Sequence, residues 1–162
     1  MQKWQLRVLG VLALGGSFTG LAIGASLLVA QGSILAKAFS LPFLALYVWG
    51  LFCGLWLIEG REGAVRQNFY FWLTQAPYFM SSIAGYSLSS GSSIYFTYQP
   101  SITKWDLSAN FGSQFVYSFL QGKPLILGIN LFAVAVCVYL FLLLRREPPN
   151  NSFKPTPLRG AA

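Results

Sequence analysis

The sequence holds no histidine, and its only acids are Glu59, Glu62, Asp106 and Glu147. Acid–base work by paired carboxylates needs two acids converging on one site. Glu59 and Glu62 are three residues apart and can share a helix face. Arg61 and Arg66 lie close by, however, so charge balance at a membrane boundary is the expected role. Asp106 stands beside Lys104 in a stretch rich in aromatic residues. Serines crowd positions 81–93, but no imidazole exists to activate one. A Ser–Lys pair would have to use Lys104, and no spacing supports it. Cys53 and Cys137 both fall inside long apolar runs, where a thiol behaves as a small hydrophobe. No His/Cys cluster is available for a metal, and no nucleophile elbow, phosphate-cradling glycine loop or dinucleotide fingerprint is present. The sequence is therefore read as a non-enzyme without cofactor or metal.

The patterned residues are glycines. Gly16, Gly20 and Gly24 recur every fourth position, and Gly50 and Gly54 repeat the spacing later. On a helix each set lies along one face and lets another backbone approach closely. Packing of the first helix against the second within one chain is the plainest use. A homo-oligomer or a membrane protein partner are the others.

These helices have to sit somewhere apolar. The chain is 55% hydrophobic and only 9% charged, against about 25% charged in soluble domains. A fold of this size cannot hide that much apolar surface from water, so a membrane protein is expected, with the lipid bilayer as partner. The net charge is +7, but the basic residues are scattered. No basic stripe with interleaved aromatics suits nucleic acid, so none is expected as partner.

Three uncharged runs, 8–30, 41–58 and 124–144, read as transmembrane helices. Pro42 falls near the start of the second, where a helix tolerates it. The run at 8–30 exceeds the length of a cleaved signal and is read as retained. Lys3, Arg7, Arg61, Arg66, Arg145 and Arg146 set the topology under the positive-inside rule. They share the cytoplasmic side only if the chain crosses once more between Arg66 and Lys123.

The candidate for that crossing is 67–85. It reads as a short helix ended by Pro77, followed by an extended piece packed on the other spans. An interfacial helix is the competing reading. From 86 to 122 the period changes to two. Trp105, Leu107, Ala109 and Phe111 alternate, as do Phe115, Tyr117 and Phe119, between turn formers. The expectation is an antiparallel lobe of three or four strands outside the membrane, with 86–88 paired to part of 94–98 across a turn near Gly91.

The expected organisation is thus a helical pair (1–66), a Pro-interrupted membrane segment (67–85), a β-rich extracytoplasmic lobe (86–122), a last transmembrane helix (123–147) and a disordered tail (148–162). The fold class is integral membrane and mainly α-helical. It has three transmembrane helices, a Pro-interrupted fourth segment, and a small antiparallel β-rich insert before the last helix.

The tail SFKPTPLRGAA resembles the translated end of a bacterial integron gene cassette, where reading runs into the recombination site. The body resembles uncharacterised small bacterial polytopic membrane proteins, with a strand-rich insert before a last span containing Gly128, Ile129 and Asn130. The tail's resemblance implies an accessory bacterial gene, of a kind sometimes tied to immunity or defence. The expected function is a non-catalytic interaction or accessory role in the bacterial inner membrane, as a multi-pass protein. The alternative is a subunit of a small oligomeric channel or transporter. No ionisable residue lies inside the three runs, and Asn130 and Gln75 are the strongly polar side chains expected at depth.

Overall fold

A computed structural model describes residues 3–30, 34–120 and 122–146. The expected disordered tail, 148–162, lies outside the described residues. In chain order the elements are α1 (Lys3–Val29), α2 (Ile34–Glu59), α3 (Ala64–Leu73), β1 (Pro77–Met80), β2 (Ala84–Ser89), β3 (Ser92–Gln99), a single 3₁₀ turn (Pro100–Ile102), β4 (Lys104–Phe111), β5 (Gln114–Phe119), β6 (Ile126–Asn130) and α4 (Leu131–Arg146).

This is an α+β fold, and it corrects the mainly helical reading. Among the described residues there are four α-helices and one six-stranded antiparallel sheet, and only α1 and α2 are long and apolar enough to cross a membrane. The run at 124–144 is not one helix. Its first part is β6, which pairs with both β1 and β3, and the helix begins only at Leu131. At 16 residues α4 is about 24 Å long, short of the roughly 30 Å hydrocarbon layer. Short apolar runs such as ILGIN fit a buried strand as well as a helix, and two flanking strands decide for the strand. The second helix starts earlier than read, at Ile34, so Pro42 lies inside it.

The segment 67–85 divides where proline requires. α3 ends at Leu73 and β1 begins at Pro77. The lobe has more strands than expected, and β1 and β6 lie outside the 86–122 range. The expected pairing of 86–88 with 94–98 is also overturned. β2 pairs with β1 and β5, whereas β3 pairs with β4 and β6.

The strand order β4-β3-β6-β1-β2-β5 determines the shape. Laid flat, the two edges β4 and β5 would stand about 24 Å apart at about 4.8 Å per strand. Yet only Gly112 and Ser113 join them, which bridge at most about 11 Å. The sheet must therefore curl until its edges approach. The β2–β3 connection makes the same demand, since Ser90 and Gly91 span strands separated by β6 and β1. Both short connections use glycine at positive φ, Gly91 at 88° and Gly112 at 112°, and Gly112 N donates to Gly91 O at 2.7 Å.

The molecule has two halves stacked along the α1–α2 hairpin. One half is helical. Leu6 and Leu9 of α1 pack with Leu57 of α2, Val65 and Trp72 of α3, and Leu140 and Leu143 of α4. Tyr139 Oη donates to Gln5 Oε1 at 2.8 Å and ties α4 to the start of α1. The other half is the sheet, whose β2 and β5 lie against the far portions of α1 and α2. There Phe43 stacks on Tyr86, Phe115 and Tyr117, and Phe39 stacks on Phe119. The stacks add to ordinary area burial.

Candidate functional site

The curl gives the sheet a concave and a convex face. Side chains alternate across a strand, so each strand sends one set inward. Tyr78 of β1, Ser87 of β2, Tyr95, Thr97 and Gln99 of β3, Lys104, Asp106, Ser108 and Asn110 of β4, Gln114 and Val116 of β5, and Ile126 of β6 all line one cavity of about 360 Å³. That volume falls at the small end of ligand sites. All six strands contribute to it, and most of the lining is hydroxyl, phenol or amide.

Register organises the wall. Lys104 stands opposite Gln99, Asp106 opposite Thr97, Ser108 opposite Tyr95 and Asn110 opposite Ser93. On the other side Gln114 faces Ser89 and Val116 faces Ser87. Ser87 Oγ donates to Tyr95 Oη at 3.0 Å, and the Tyr78 and Tyr95 rings meet at 5.1 Å. Lys104 and Asp106 are exposed and not ion-paired with any described residue, so the outer rim carries one charge of each sign. Ser89 and Ser93 continue the inward face beyond Ser87 and Tyr95. Both are buried, and their Oγ atoms have no hydrogen-bond partner among the described residues. A buried hydroxyl without a partner carries a desolvation cost, so the inner end has unused hydrogen-bonding capacity.

Below this end lies a polar layer where helices hand over to strands. Gln75 Oε1 accepts from Ser90 N at 2.8 Å, and Tyr47 Oη donates to Ser89 O at 3.0 Å. Asn130 Oδ1 accepts from Ile94 N at 3.1 Å and from Ala133 N at 3.4 Å, which caps α4 from the last residue of β6. Asn68 Nδ2 donates to Cys53 O at 2.7 Å, and Tyr86 Oη donates to Thr74 O at 2.7 Å. Ser113 Oγ donates to Gly16 O and pairs with Thr19 Oγ1 at 2.8 Å. Some of these bonds meet backbone groups at element ends, as at Thr74, Ser89 and Ser90, and others reach carbonyls within helices, as at Gly16 of α1 and Cys53 of α2. Gln75 and Asn130, singled out as polar residues at depth, both belong to this layer.

The glycines are spent inside the chain. A Cβ on Gly16 would overlap Ser90 and Gly91, on Gly20 the Tyr47 ring, and on Gly24 Leu44. On Gly50 it would overlap Ser17 and Phe71, and on Gly54 the α1 backbone at Gly10 and Leu14. Arg7, Arg61, Arg66, Arg145 and Arg146 gather at the helical end, with Lys3 in the first turn of α1. Arg61 Nε bonds Glu59 Oε2 at 2.6 Å on the exposed surface. Cys53 and Cys137 are buried free thiols. Pro77 opens β1.

Most of the cavity residues escape a reading for catalytic types, since they are neutral polar side chains on strands. One signal is present in the sequence. The alternation of Trp105, Leu107, Ala109 and Phe111 has a complement, Lys104, Asp106, Ser108 and Asn110, and that complement is the cavity wall. Period two identifies two faces without saying which faces inward. No family model matches the chain, and neither a curated protein nor a solved structure matches it.

Proposed function

We propose that the chain is a non-catalytic, multi-pass protein of a bacterial inner membrane, held by α1 and α2, that acts by binding a polar ligand in the curled sheet. The observation that carries this reading is the polarity of the sheet. Its concave face gathers hydroxyls, amides and one charge of each sign around 360 Å³, while its convex face is apolar.

Charge distribution supports the membrane setting. Arg7, Arg61, Arg66, Arg145 and Arg146 stand at one end, and Lys37, Lys104 and Lys123 at the other. With Lys3 in the first turn of α1, six basic residues against three favour the helical end as the cytoplasmic one under the positive-inside rule. The cavity then opens on the opposite side. The cassette-like tail supports a bacterial, accessory role such as immunity or defence.

The channel reading has less support. The cavity ends at the buried polar layer, and beyond it the helices pack an apolar cluster containing Leu57, Trp72, Val136 and Leu140. Among the described residues that half offers no continuous polar path. The glycine faces that would build an oligomer already touch side chains or backbone of this chain.

Three measurements on the full chain test the reading. It should resist alkaline carbonate extraction from membranes. Ser108→Cys should react with a membrane-impermeant maleimide added from the periplasmic side. Proteoliposomes should hold a trapped fluorescent anion as tightly as empty liposomes. Carbonate release would remove the membrane reading, and leakage in proportion to protein would replace binding by conduction.

A further inference from the structure

We propose that the sheet is itself immersed in the bilayer beside α1 and α2, its convex face against lipid acyl chains. This rests on the reading of α1 and α2 as membrane crossings. The height of the sheet along α1 carries the inference. Gly16 lies against Ser90 and Gly91, Thr19 bonds Ser113, and Gly24 reaches Phe115. All three levels fall inside the uncharged stretch 8–30, the part that hydrocarbon would surround. On α2 the sheet covers Phe39, Phe43 and Tyr47 along most of the helix's first half. A hairpin that crosses the bilayer therefore carries the sheet in with it. A lobe standing in water would touch α1 and α2 only near their connection.

The convex face agrees independently. Trp105 is 58% exposed, Leu107 65% and Phe111 92%, on the same strand whose other face lines the cavity. Phe96 of β3 and Leu127 and Ile129 of β6 extend the apolar surface across the adjoining strands, and Phe119 is exposed on the other edge strand, β5. Apolar outside and polar inside is the arrangement of sheets that face lipid. In water, a contiguous apolar patch would itself mark an interaction surface. The patch is also continuous with the apolar exterior of the hairpin, because Phe39 of α2 stacks on Phe119 at 5.6 Å. The free edges of β4 and β5 border the polar cavity. A wet lumen there supplies partners for backbone groups that acyl chains cannot satisfy.

The test is spin-label accessibility on the full chain in phospholipid vesicles, one added cysteine at a time. Leu107→Cys and Phe111→Cys report the convex face, Asp106→Cys and Ser108→Cys the cavity, and Phe18→Cys the outside of α1. The parent chain, whose two thiols are buried, serves as the labelling control. Collision with oxygen should exceed collision with a water-soluble nickel chelate at 107, 111 and 18, and the order should reverse at 106 and 108. Alternation between sequence neighbours is the signature. Nickel access at 107 and 111 with oxygen access at 18 overturns the inference and leaves the membrane hairpin standing. Nickel access at all five sites overturns both.

Discussion

Two glycines five residues apart on α1 should respond oppositely to the same added methyl. Gly20 faces the ring of Tyr47, and a Cβ there would overlap three of its atoms. Tyr47 is fully buried, and its hydroxyl holds the Ser89 carbonyl, so the ring cannot swing aside freely. Gly20→Ala therefore overpacks the contact, at about 1–3 kcal/mol. It also puts at risk a hydrogen bond worth about 0.5–1.5 kcal/mol. The better helix propensity of alanine returns about 0.5–1 kcal/mol. The net expectation is destabilisation by about 2 kcal/mol. At Gly15 the space is open, and a Cβ there would meet nothing within 4 Å. Gly15→Ala should then be neutral or stabilising by up to about 1 kcal/mol.

Reversible unfolding in mixed micelles, followed by tryptophan fluorescence, reads both. A double-mutant cycle with Tyr47→Ala isolates the cause. Tyr47→Ala alone should cost about 3–5 kcal/mol, by analogy with other large aromatic truncations. In that background the penalty of Gly20→Ala should vanish. An equal penalty with and without the Tyr47 ring would refute the close-contact reasoning, because Gly20 would then be acting through helix geometry alone.

Other consequences follow from the polar layer and the charges. Asn130→Ala removes the cap of α4 and strands Ile94 N, so it should destabilise by about 1–3 kcal/mol, and unchanged unfolding would count against the capping role. Gln75→Leu should cost a similar amount by leaving Ser90 N without its acceptor, read by the same unfolding assay. Tyr47→Phe keeps the ring and should cost only about 1 kcal/mol. Reporter fusions after Arg66 and after Arg146 should both report the cytoplasm, and a periplasmic signal after Arg146 would invalidate the charge argument.

What the sequence discloses about this fold depends on the range of each signal. The first two helices are legible because long uncharged runs have few other solutions. The break before Pro77 is legible because proline acts on its own neighbours. The strands β4 and β5 announce themselves by alternation. The partners are not legible: Gly91 makes β2 and β3 look like a hairpin, and only the placement of β6 and β1 between them shows otherwise. β6 itself hides in an apolar run, since Ile126, Leu127 and Ile129 suit helix and strand alike. Asn130 is the local clue, a capping residue inside a run otherwise free of amide and charged side chains.

The same limit explains the cavity. Along β4 the apolar residues suggest the face toward a core, because in water that is where they go. Here Trp105, Leu107 and Phe111 are exposed, and Lys104, Asp106, Ser108 and Asn110 turn inward. Alternation is indifferent to this reversal, since a strand with its faces exchanged has the same period. Connection lengths are not indifferent. Two residues between β2 and β3 and two between β4 and β5 force curvature, and curvature creates an inside. Once an inside exists, composition assigns it. The wall that ends at three buried serines, Ser87, Ser89 and Ser93, needs polar neighbours, and the face that meets Phe39 and Phe43 of α2 needs apolar ones. Fold and site are thus one consequence: the short turns curl the sheet, and the helix hairpin decides which face is out.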